Sequence, residues 1–142
     1  MSRWHFLDTN ILLYSISSDP KEAVKRERAV ELLERDDGAL SVQVLQEFYY
    51  QATRAKKKSD PLSHENAVGF IKTWTRFAVQ DLTLSILKQA LAIRAVYEFS
   101  YWDCAIIAAA RALGCRTLYS EDMSHGREVE GVQIINPFLK MS

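Results

Sequence analysis

Residues 4–12 read WHFLDTNIL: a short apolar run, a polar turn and a second apolar run. The first run predicts a buried strand, because uninterrupted apolar residues suit a strand that is covered on both faces. Asp8, Thr9 and Asn10 follow it, and residues of these types are common where helices begin. The stretch therefore predicts a strand that passes directly into a helix, the repeating unit of an α/β domain.

The same alternation of strand and helix continues along the chain. Further strands are predicted at residues 39–41, 77–82, 116–119 and 132–135, and helical patterns separate most of them. The most apolar helix is predicted at 101–113, where Gly114 provides the stop. We expect one α/β domain over residues 1–142, with a mainly parallel sheet of about five short strands and helices on both faces.

The composition is that of an ordinary globular protein, with 48% hydrophobic and 25% charged residues. No apolar run approaches the roughly 18 residues that a membrane-spanning helix needs, and the first residues lack the apolar stretch of a signal peptide. Two cysteines are too few for a disulfide framework. We therefore expect a cytoplasmic protein that is not bound to membranes and whose thiols are reduced.

The formal charges cancel, because 18 Lys and Arg residues balance 18 Asp and Glu residues. A protein of zero net charge has no overall basic field to attract nucleic acid, which argues against tight, nonspecific RNA binding. The densest basic run, Arg54 to Lys58, has two interpretations. It is either a solvated loop, which is the more common case, or a contact for an RNA backbone.

Four acidic residues are expected near the carboxyl ends of the strands. Asp8 ends the first strand, Glu47 lies on the helix after the second, Asp103 begins the apolar helix and Asp122 follows the fourth strand. Because parallel α/β sheets form their sites at this edge, the four carboxylates are expected to face one crevice. Each has a structural alternative: Asp8 as a helix cap, Glu47 as a solvated residue, Asp103 in a capping box with Ser100, and Asp122 in a turn.

Clustered carboxylates repel one another, so proteins rarely assemble them without a cation. Mg²⁺ and Mn²⁺ prefer oxygen ligands, and a divalent ion held by carboxylates activates water and stabilises a displacement at phosphorus. The sequence shows no evident His ligand and no Gly-rich phosphate loop. Four acids without those features indicate metal-dependent hydrolysis of a phosphodiester.

Four segments around these acids resemble the motifs of a known family. Residues 6–12 (FLDTNIL), 41–48 (SVQVLQEF), 100–107 (SYWDCAII) and 118–123 (LYSEDM) are similar, in that order, to the four motifs of PIN-domain ribonucleases. The order, the spacing and the length of the chain all fit, so the resemblance covers nearly the whole sequence. The most similar subgroup is the VapC-type toxins of bacterial toxin–antitoxin pairs.

The resemblance implies a PIN-like fold and an endoribonuclease that depends on Mg²⁺ or Mn²⁺. It implies that Asp8 and Asp103 are the principal metal ligands, that Asp122 completes the ligand set or acts through water, and that Glu47 orients the attacking water or a second ion. Three small polar residues match positions that support the acids in this family: Thr9, Asn10 and Ser120. An RNA substrate, a homodimer and a cognate antitoxin, with a groove for its helix near Tyr14, are implied as well.

Other functions are weighed on particular residues. A housekeeping PIN nuclease without an antitoxin and a non-catalytic PIN-like scaffold are both compatible with the sequence. A phosphoacceptor receiver domain requires an acidic pair after the first strand, and a haloacid-dehalogenase-type phosphatase requires an acid where Asn10 stands. The sequence supplies neither feature.

Several residues near the motifs have no assigned role. Glu121 and His125 follow the fourth strand, and the sequence does not set the direction of the Glu121 side chain. Solvent exposure is expected for His125, with a substrate contact as the alternative. Four aromatic residues at helical spacing are expected to pack against protein rather than to stack on RNA bases: Tyr49, Tyr50, Trp74 and Trp102.

Overall fold

The central sheet has six strands in the computed structural model, which describes residues 4–56 and 60–139. The strands are β1 (His5–Leu7), β2 (Gly38–Ser41), β3 (Ala78–Gln80), β4 (Thr117–Tyr119), β5 (Glu128–Val129) and β6 (Val132–Ile135). Their order across the sheet is β3-β2-β1-β4-β6-β5, and only the β5–β6 pair is antiparallel. The predicted, mainly parallel sheet is confirmed. The short β5 is an additional strand that the sequence did not predict.

Helices connect the parallel strands. They are α1 (Thr9–Ser15), a 3₁₀ helix (Pro20–Glu22), α2 (Ala23–Glu34), α3 (Val42–Thr53), α4 (His64–Trp74), α5 (Leu84–Val96) and α6 (Tyr101–Ala112). Short polar side chains set where α3 to α6 begin, because each accepts a hydrogen bond from a free backbone N–H of the first turn. These caps are Ser41, Ser63, Thr83 and Ser100.

The core lies around α6, which contacts strands β2, β3, β4 and β6 on one side and packs against α5. Seven consecutive residues of α6, Cys104 to Ala110, are buried. Most of them are small, which lets the helix approach the sheet closely. This packing fixes the start of α6, and therefore Asp103, relative to the strand ends.

Helix α5 contributes Ile86, Ala90 and Ile93 to the core. Its opposite side exposes Leu84 and Leu91, which are 64% and 53% accessible to solvent. Among the described residues, every helix is too short or too polar to cross a lipid bilayer.

The two thiols, Cys104 and Cys115, are buried and not joined in a disulfide. Burial raises the pKa of Cys115 to about 12, so its reactive thiolate is disfavoured at neutral pH. The expected unpaired state of both cysteines is confirmed.

Candidate active site

The four predicted acids line one pocket, with a volume of about 470 Å³. Asp8 comes directly after β1, Glu47 is on α3, Asp103 is in the first turn of α6 and Asp122 follows β4. Strands β2 and β4 lie on either side of β1 and run parallel to it, so the segments after all three strands emerge at one edge of the sheet. The structure therefore brings the four carboxylates together where the sequence predicts.

Asp8 is the most deeply buried of the four, at 6% exposure. Its Oδ1 accepts a hydrogen bond from the backbone N–H of Thr9 at 2.7 Å, and its Oδ2 accepts one from the Ser120 hydroxyl at 2.7 Å. The first bond caps α1, so the structural alternative for Asp8 is also true. The second bond joins the ends of β1 and β4 and fixes the carboxylate in the pocket.

Burial raises the pKa of two of the acids, Asp8 and Asp103, and neighbouring carboxylates add to the effect. Burial raises the pKa of Asp8 to about 6; the hydrogen bonds from Ser120 and Thr9 lower it, and the negative charges of Asp103 and Glu47 raise it further. The pKa of Asp103 is also raised, first by burial, against a hydrogen bond with Ser100 that lowers it, and then by Asp122 and Glu47. Among the described residues that line the pocket, none is Lys, Arg or His. Negative charge is thus concentrated there without a protein cation.

Glu47 is held by two side chains. The Thr9 hydroxyl donates a hydrogen bond to its Oε1 at 2.7 Å, and the Gln43 amide lies 3.4 Å from its Oε2. The same amide donates to the backbone carbonyl of Trp102 at 3.2 Å, which ties α3 to the start of α6. Sequence reasoning missed Gln43. Its only signal was its position one helical turn before Glu47.

The loop after β4 separates its two acids. Asp122 accepts a hydrogen bond from the Asn10 side-chain amide at 3.1 Å. Glu121 instead contacts the Lys25 ammonium group and the Tyr14 hydroxyl. Its direction, which the sequence left open, is thus away from the acid pocket and toward α1 and α2.

His125 and the four singled-out aromatic residues take different positions. The exposed His125 accepts a hydrogen bond from the Asn136 backbone N–H through Nδ1 at 2.9 Å. Of the core or interface packing expected for these residues, core packing is confirmed for Trp74, which is 4% exposed, whereas Tyr50 and Trp102, at 62% and 63% exposure, lie outside the core. Tyr49 is half-buried, with its hydroxyl 2.9 Å from Nδ1 of His64.

A sequence match identifies the protein family of this chain. A family model for the PIN domain matches residues 5–127, which contain all four acids and the strands and helices that carry them. The chain belongs to the PIN domain family. No curated protein matches the sequence significantly.

Solved structures with this PIN fold include components of toxin–antitoxin complexes. A toxin–antitoxin complex from Klebsiella pneumoniae matches with a TM-score of 0.69 at 19% identity, covering 94% of this chain and 97% of that chain. A DNA-bound VapBC from Salmonella typhimurium matches at 0.64 and 21% identity, covering 94% and 98%. The sarcin–ricin loop-cleaving toxin VapC20 of Mycobacterium tuberculosis matches at 0.62 and 21% identity, covering 82% and 88%. At these identities the likeness establishes a shared fold.

A second cavity of about 700 Å³ adjoins the acid pocket of this PIN domain. The two share four lining residues: Asn10, Leu13, Gln51 and Asp122. The larger cavity also has apolar lining residues from α1 and from the segment before α4, and acidic residues around the 3₁₀ helix. Arg54 and Lys56 of the basic run line it as well, whereas Lys57 and Lys58 lie outside the described residues.

The donor set suits a hard divalent cation. Within residues 4–56 and 60–139 no three acidic, His or Cys side chains are arranged as a ready-made ligand cluster. The chemistry of the pocket nevertheless fits Mg²⁺ or Mn²⁺, because its charged groups are all carboxylates and their mutual repulsion would be relieved by a positive ion. The side-chain Oδ1 of Asn10 is also buried without a hydrogen-bond partner in the described chain.

Proposed function

We propose that this PIN domain is an endoribonuclease that hydrolyses RNA phosphodiester bonds with Mg²⁺ or Mn²⁺ bound at the acid pocket. The observation that carries the proposal is the convergence of Asp8, Glu47, Asp103 and Asp122 on one pocket without a cationic side chain among its described lining residues. A carboxylate pair for acid–base work on a sugar would leave two of these acids without a task. Four carboxylates suit a divalent cation and an anionic substrate.

Each acid has a distinct part in the proposal. Asp8 and Asp103 would hold the cation, with Asp122 completing the ligand set or acting through water. Glu47, positioned by Thr9 and Gln43, orients the attacking water. When bound, the cation supplies an activated water at neutral pH and stabilises the negative charge that develops on the phosphate.

The supporting residues keep the acids in place. Ser120 holds Asp8, Thr9 holds Glu47 and Asn10 holds Asp122, each through a side-chain hydrogen bond. Asp8 is favoured in its ionised form once positive charge neutralises its neighbours, because their repulsion contributes to its raised pKa. With a pKa of about 6, Asp8 is mostly ionised at pH 7, and positive charge in the pocket would lower its pKa further.

The test is cleavage of a labelled single-stranded RNA by the purified chain in Mg²⁺ or Mn²⁺. We expect cleavage that stops with EDTA and falls at least about 100-fold in Asp8→Asn and in Asp103→Asn. The control is Asp36→Asn, an exposed acid at the end of α2 that should leave the rate unchanged. Cleavage by Asp8→Asn at the wild-type rate would mean that the acid pocket is not the catalytic centre.

The proposed biological role is that of the toxin in a type II toxin–antitoxin pair, acting on RNA in the cytoplasm. Support comes from the fold shared with toxin–antitoxin components and from the larger cavity. Its apolar residues Leu13, Ile16 and Leu62 and its acids Asp19 and Glu22 suit a partner helix with apolar and basic side chains. An antitoxin bound there would lie beside the acid pocket.

Induced expression in bacteria separates a toxin from a housekeeping nuclease. We expect wild-type chain to arrest growth and Asp8→Asn, expressed at the same level, to leave growth unchanged, since the arrest requires RNA cleavage. Growth curves with matched immunoblots check this. Unimpaired growth with an enzyme that cuts RNA in vitro would instead support the housekeeping PIN nuclease.

A further inference from the structure

An exposed aromatic side chain flanks the acid pocket. Tyr50 lies three residues after Glu47 on α3, a spacing that places both side chains on the same face of the helix. Tyr50 lines the pocket together with the four acids, yet the residue is 62% exposed. Within the described part of the chain its hydroxyl has no hydrogen bond. Core packing therefore does not account for a tyrosine at this position.

A cation covers part of this ring. The guanidinium carbon of Arg54 lies 5.4 Å from the Tyr50 ring centroid, which is within the range of a cation–π contact. Arg54 is itself exposed and lines the adjoining cavity. The pair thus presents an aromatic face and a permanent positive charge at the rim of a pocket whose own lining is acidic.

The other three aromatic residues singled out from the sequence do not combine exposure with a place beside the acid pocket. Trp74 is in the core, and Tyr49 is engaged with His64. Trp102 is 63% exposed, but it is not among the residues that line the acid pocket. Two uncharged amides, Gln46 and Gln51, complete the α3 side of the pocket.

We propose that Tyr50 stacks on a base of single-stranded RNA beside the scissile phosphate, while Arg54 contacts a neighbouring phosphate. The inference rests on the proposed ribonuclease function and adds the substrate contacts of that site. Aromatic rings stack on any unpaired base, whereas the bases of a duplex are already stacked and have no free face. The guanidinium group is always charged and binds phosphate oxygens. Gln46 and Gln51 line the same pocket as Tyr50, so their amide groups would lie near the edge of a base stacked on that ring.

Stacking on Tyr50 makes single-stranded RNA the preferred form of substrate. It also places the RNA strand on the α3 side of the larger cavity, next to Arg54. The acids Asp19 and Glu22, which line the same cavity at the 3₁₀ helix after α1, would repel the RNA backbone. Charge and the aromatic ring thus favour the same location for the RNA strand.

The test measures RNA binding in the Asp8→Asn background, which the proposed function predicts does not cut. A 12-nucleotide, fluorescein-labelled, mixed-sequence RNA is titrated in Mg²⁺ and followed by anisotropy. We expect Tyr50→Leu to raise Kd about tenfold, Tyr50→Phe to stay within about twofold, and Arg54→Ala to raise Kd and reduce its salt dependence. Val96→Ala and Lys88→Ala, exposed residues on α5, are the apolar and cationic controls.

An abasic scan identifies the contact. Single abasic riboses are moved along the same RNA, and at one position the missing base should cost about tenfold with Tyr50 present and almost nothing in the Tyr50→Leu variant. Equal losses in both backgrounds, or wild-type RNA affinity in Tyr50→Leu, would overturn the inference. The two failures are distinct: the proposed function fails if wild-type chain does not cut RNA in Mg²⁺, whereas the stacking inference fails on binding alone.

Discussion

Asp8 carries out two tasks that usually belong to different residues. One carboxylate oxygen caps α1 through Thr9, and the other accepts the Ser120 hydroxyl across the β1–β4 junction. An ionised carboxylate is costly where it is nearly buried and faces other acids. The same side chain therefore serves local structure and the proposed chemistry. Its buried negative charge lowers the stability of the folded protein when no cation is bound.

Asp8→Asn is expected to stabilise the protein in chelator at neutral pH. The folded pKa of Asp8 is about 6, against an ordinary value of 3.8, so the folded state holds more protons than the unfolded state between these values. Stability therefore falls as pH rises from about 4 to about 6, by roughly 3 kcal/mol for this shift. Asparagine avoids the charge: its Oδ1 can accept the Thr9 N–H, and its Nδ2 amide can donate to the Ser120 hydroxyl oxygen in place of the bond that Asp8 accepts. Thermal unfolding in EDTA at pH 7.5 should show a higher Tm for Asp8→Asn by several degrees.

The pH dependence distinguishes this cause from a general effect of removing charge. The advantage of Asp8→Asn should shrink near pH 4, where the wild-type carboxyl is protonated in the folded state and close to half protonated in the unfolded state. Asp36→Asn, at an exposed position, should show no such pH-dependent gain. A lower Tm for Asp8→Asn than for wild type in EDTA at pH 7.5 would show that ionised Asp8 stabilises the fold.

At the scale of residues, position along the chain was enough to predict that the acids lie at one edge of the sheet. It was not enough to predict which side chains they contact. Asp8 follows β1 directly and Asp122 lies three residues after β4, and the rule for parallel sheets brings such residues to one edge. The contacts of Glu121 could not be predicted from the sequence, because Tyr14 and Lys25 are 107 and 96 residues away along the chain. Contacts across such separations depend on the packing of α1 and α2 against the loop after β4.

At the scale of elements, helix α5 shows why an apolar pattern does not always reveal the buried face. Ile86, Ala90 and Ile93 face the core, but the leucines that the sequence displays most clearly are exposed. When a helix has apolar residues on two sides, both sides show the helical period, and the pattern alone does not indicate which one is buried. The exposed stripe comprises Leu84, Leu87 and Leu91.

We expect the exposed stripe on α5 to form the interface of the homodimer that the family resemblance implies. Contiguous apolar surface of this kind is costly in water and is usually covered. The double variant Leu84→Glu with Leu91→Glu places two charges on that surface and should convert the protein to a monomer. Size-exclusion chromatography with light scattering measures the mass directly.

A matched substitution elsewhere controls for added charge. Val24→Glu changes a side chain on α2 that is 53% exposed and should leave the dimer intact. Circular dichroism should be the same for all variants, because none of these residues is in the core. A monomeric wild type, or a double variant that remains dimeric, would assign the α5 stripe no part in self-association.

The hairpin of β5 and β6 was missed for a local reason. Val129 pairs with Val132, and the two residues between them, Glu130 and Gly131, have positive φ angles of 51° and 87°. Two-residue hairpin turns of this kind usually have the sequence Asn-Gly or Asp-Gly. Glutamate adopts this conformation rarely, so the Glu-Gly pair gave no turn signal.

At the scale of the whole molecule, strand order turns a scattered set of acids into one site. The alternation of strands and helices predicted a parallel sheet, but it did not determine that β1 lies between β2 and β4. That order places the segments that carry Asp8, Glu47 and Asp122 side by side, and α6 adds Asp103. The fold class was predictable from pattern, whereas strand order depends on packing between distant segments.

Zero net charge takes on a different meaning in the folded molecule. The 18 acidic and 18 basic residues are not evenly mixed, because the acid pocket has carboxylates without a basic lining residue in the described chain. Arg54 lies at the rim, beside Tyr50. The zero net charge therefore conceals an acidic pocket with an arginine at its rim.

The most direct measurement is calorimetric titration of the purified protein with Mn²⁺ at pH 7.5, in the absence of RNA. We expect Mn²⁺ to bind wild type, Asp8→Asn and Asp103→Asn each to weaken that binding more than about tenfold, and Asp36→Asn to bind as wild type does. Mn²⁺ binding that is absent in wild type, or unchanged by both pocket substitutions, would contradict a divalent-metal site built from these carboxylates.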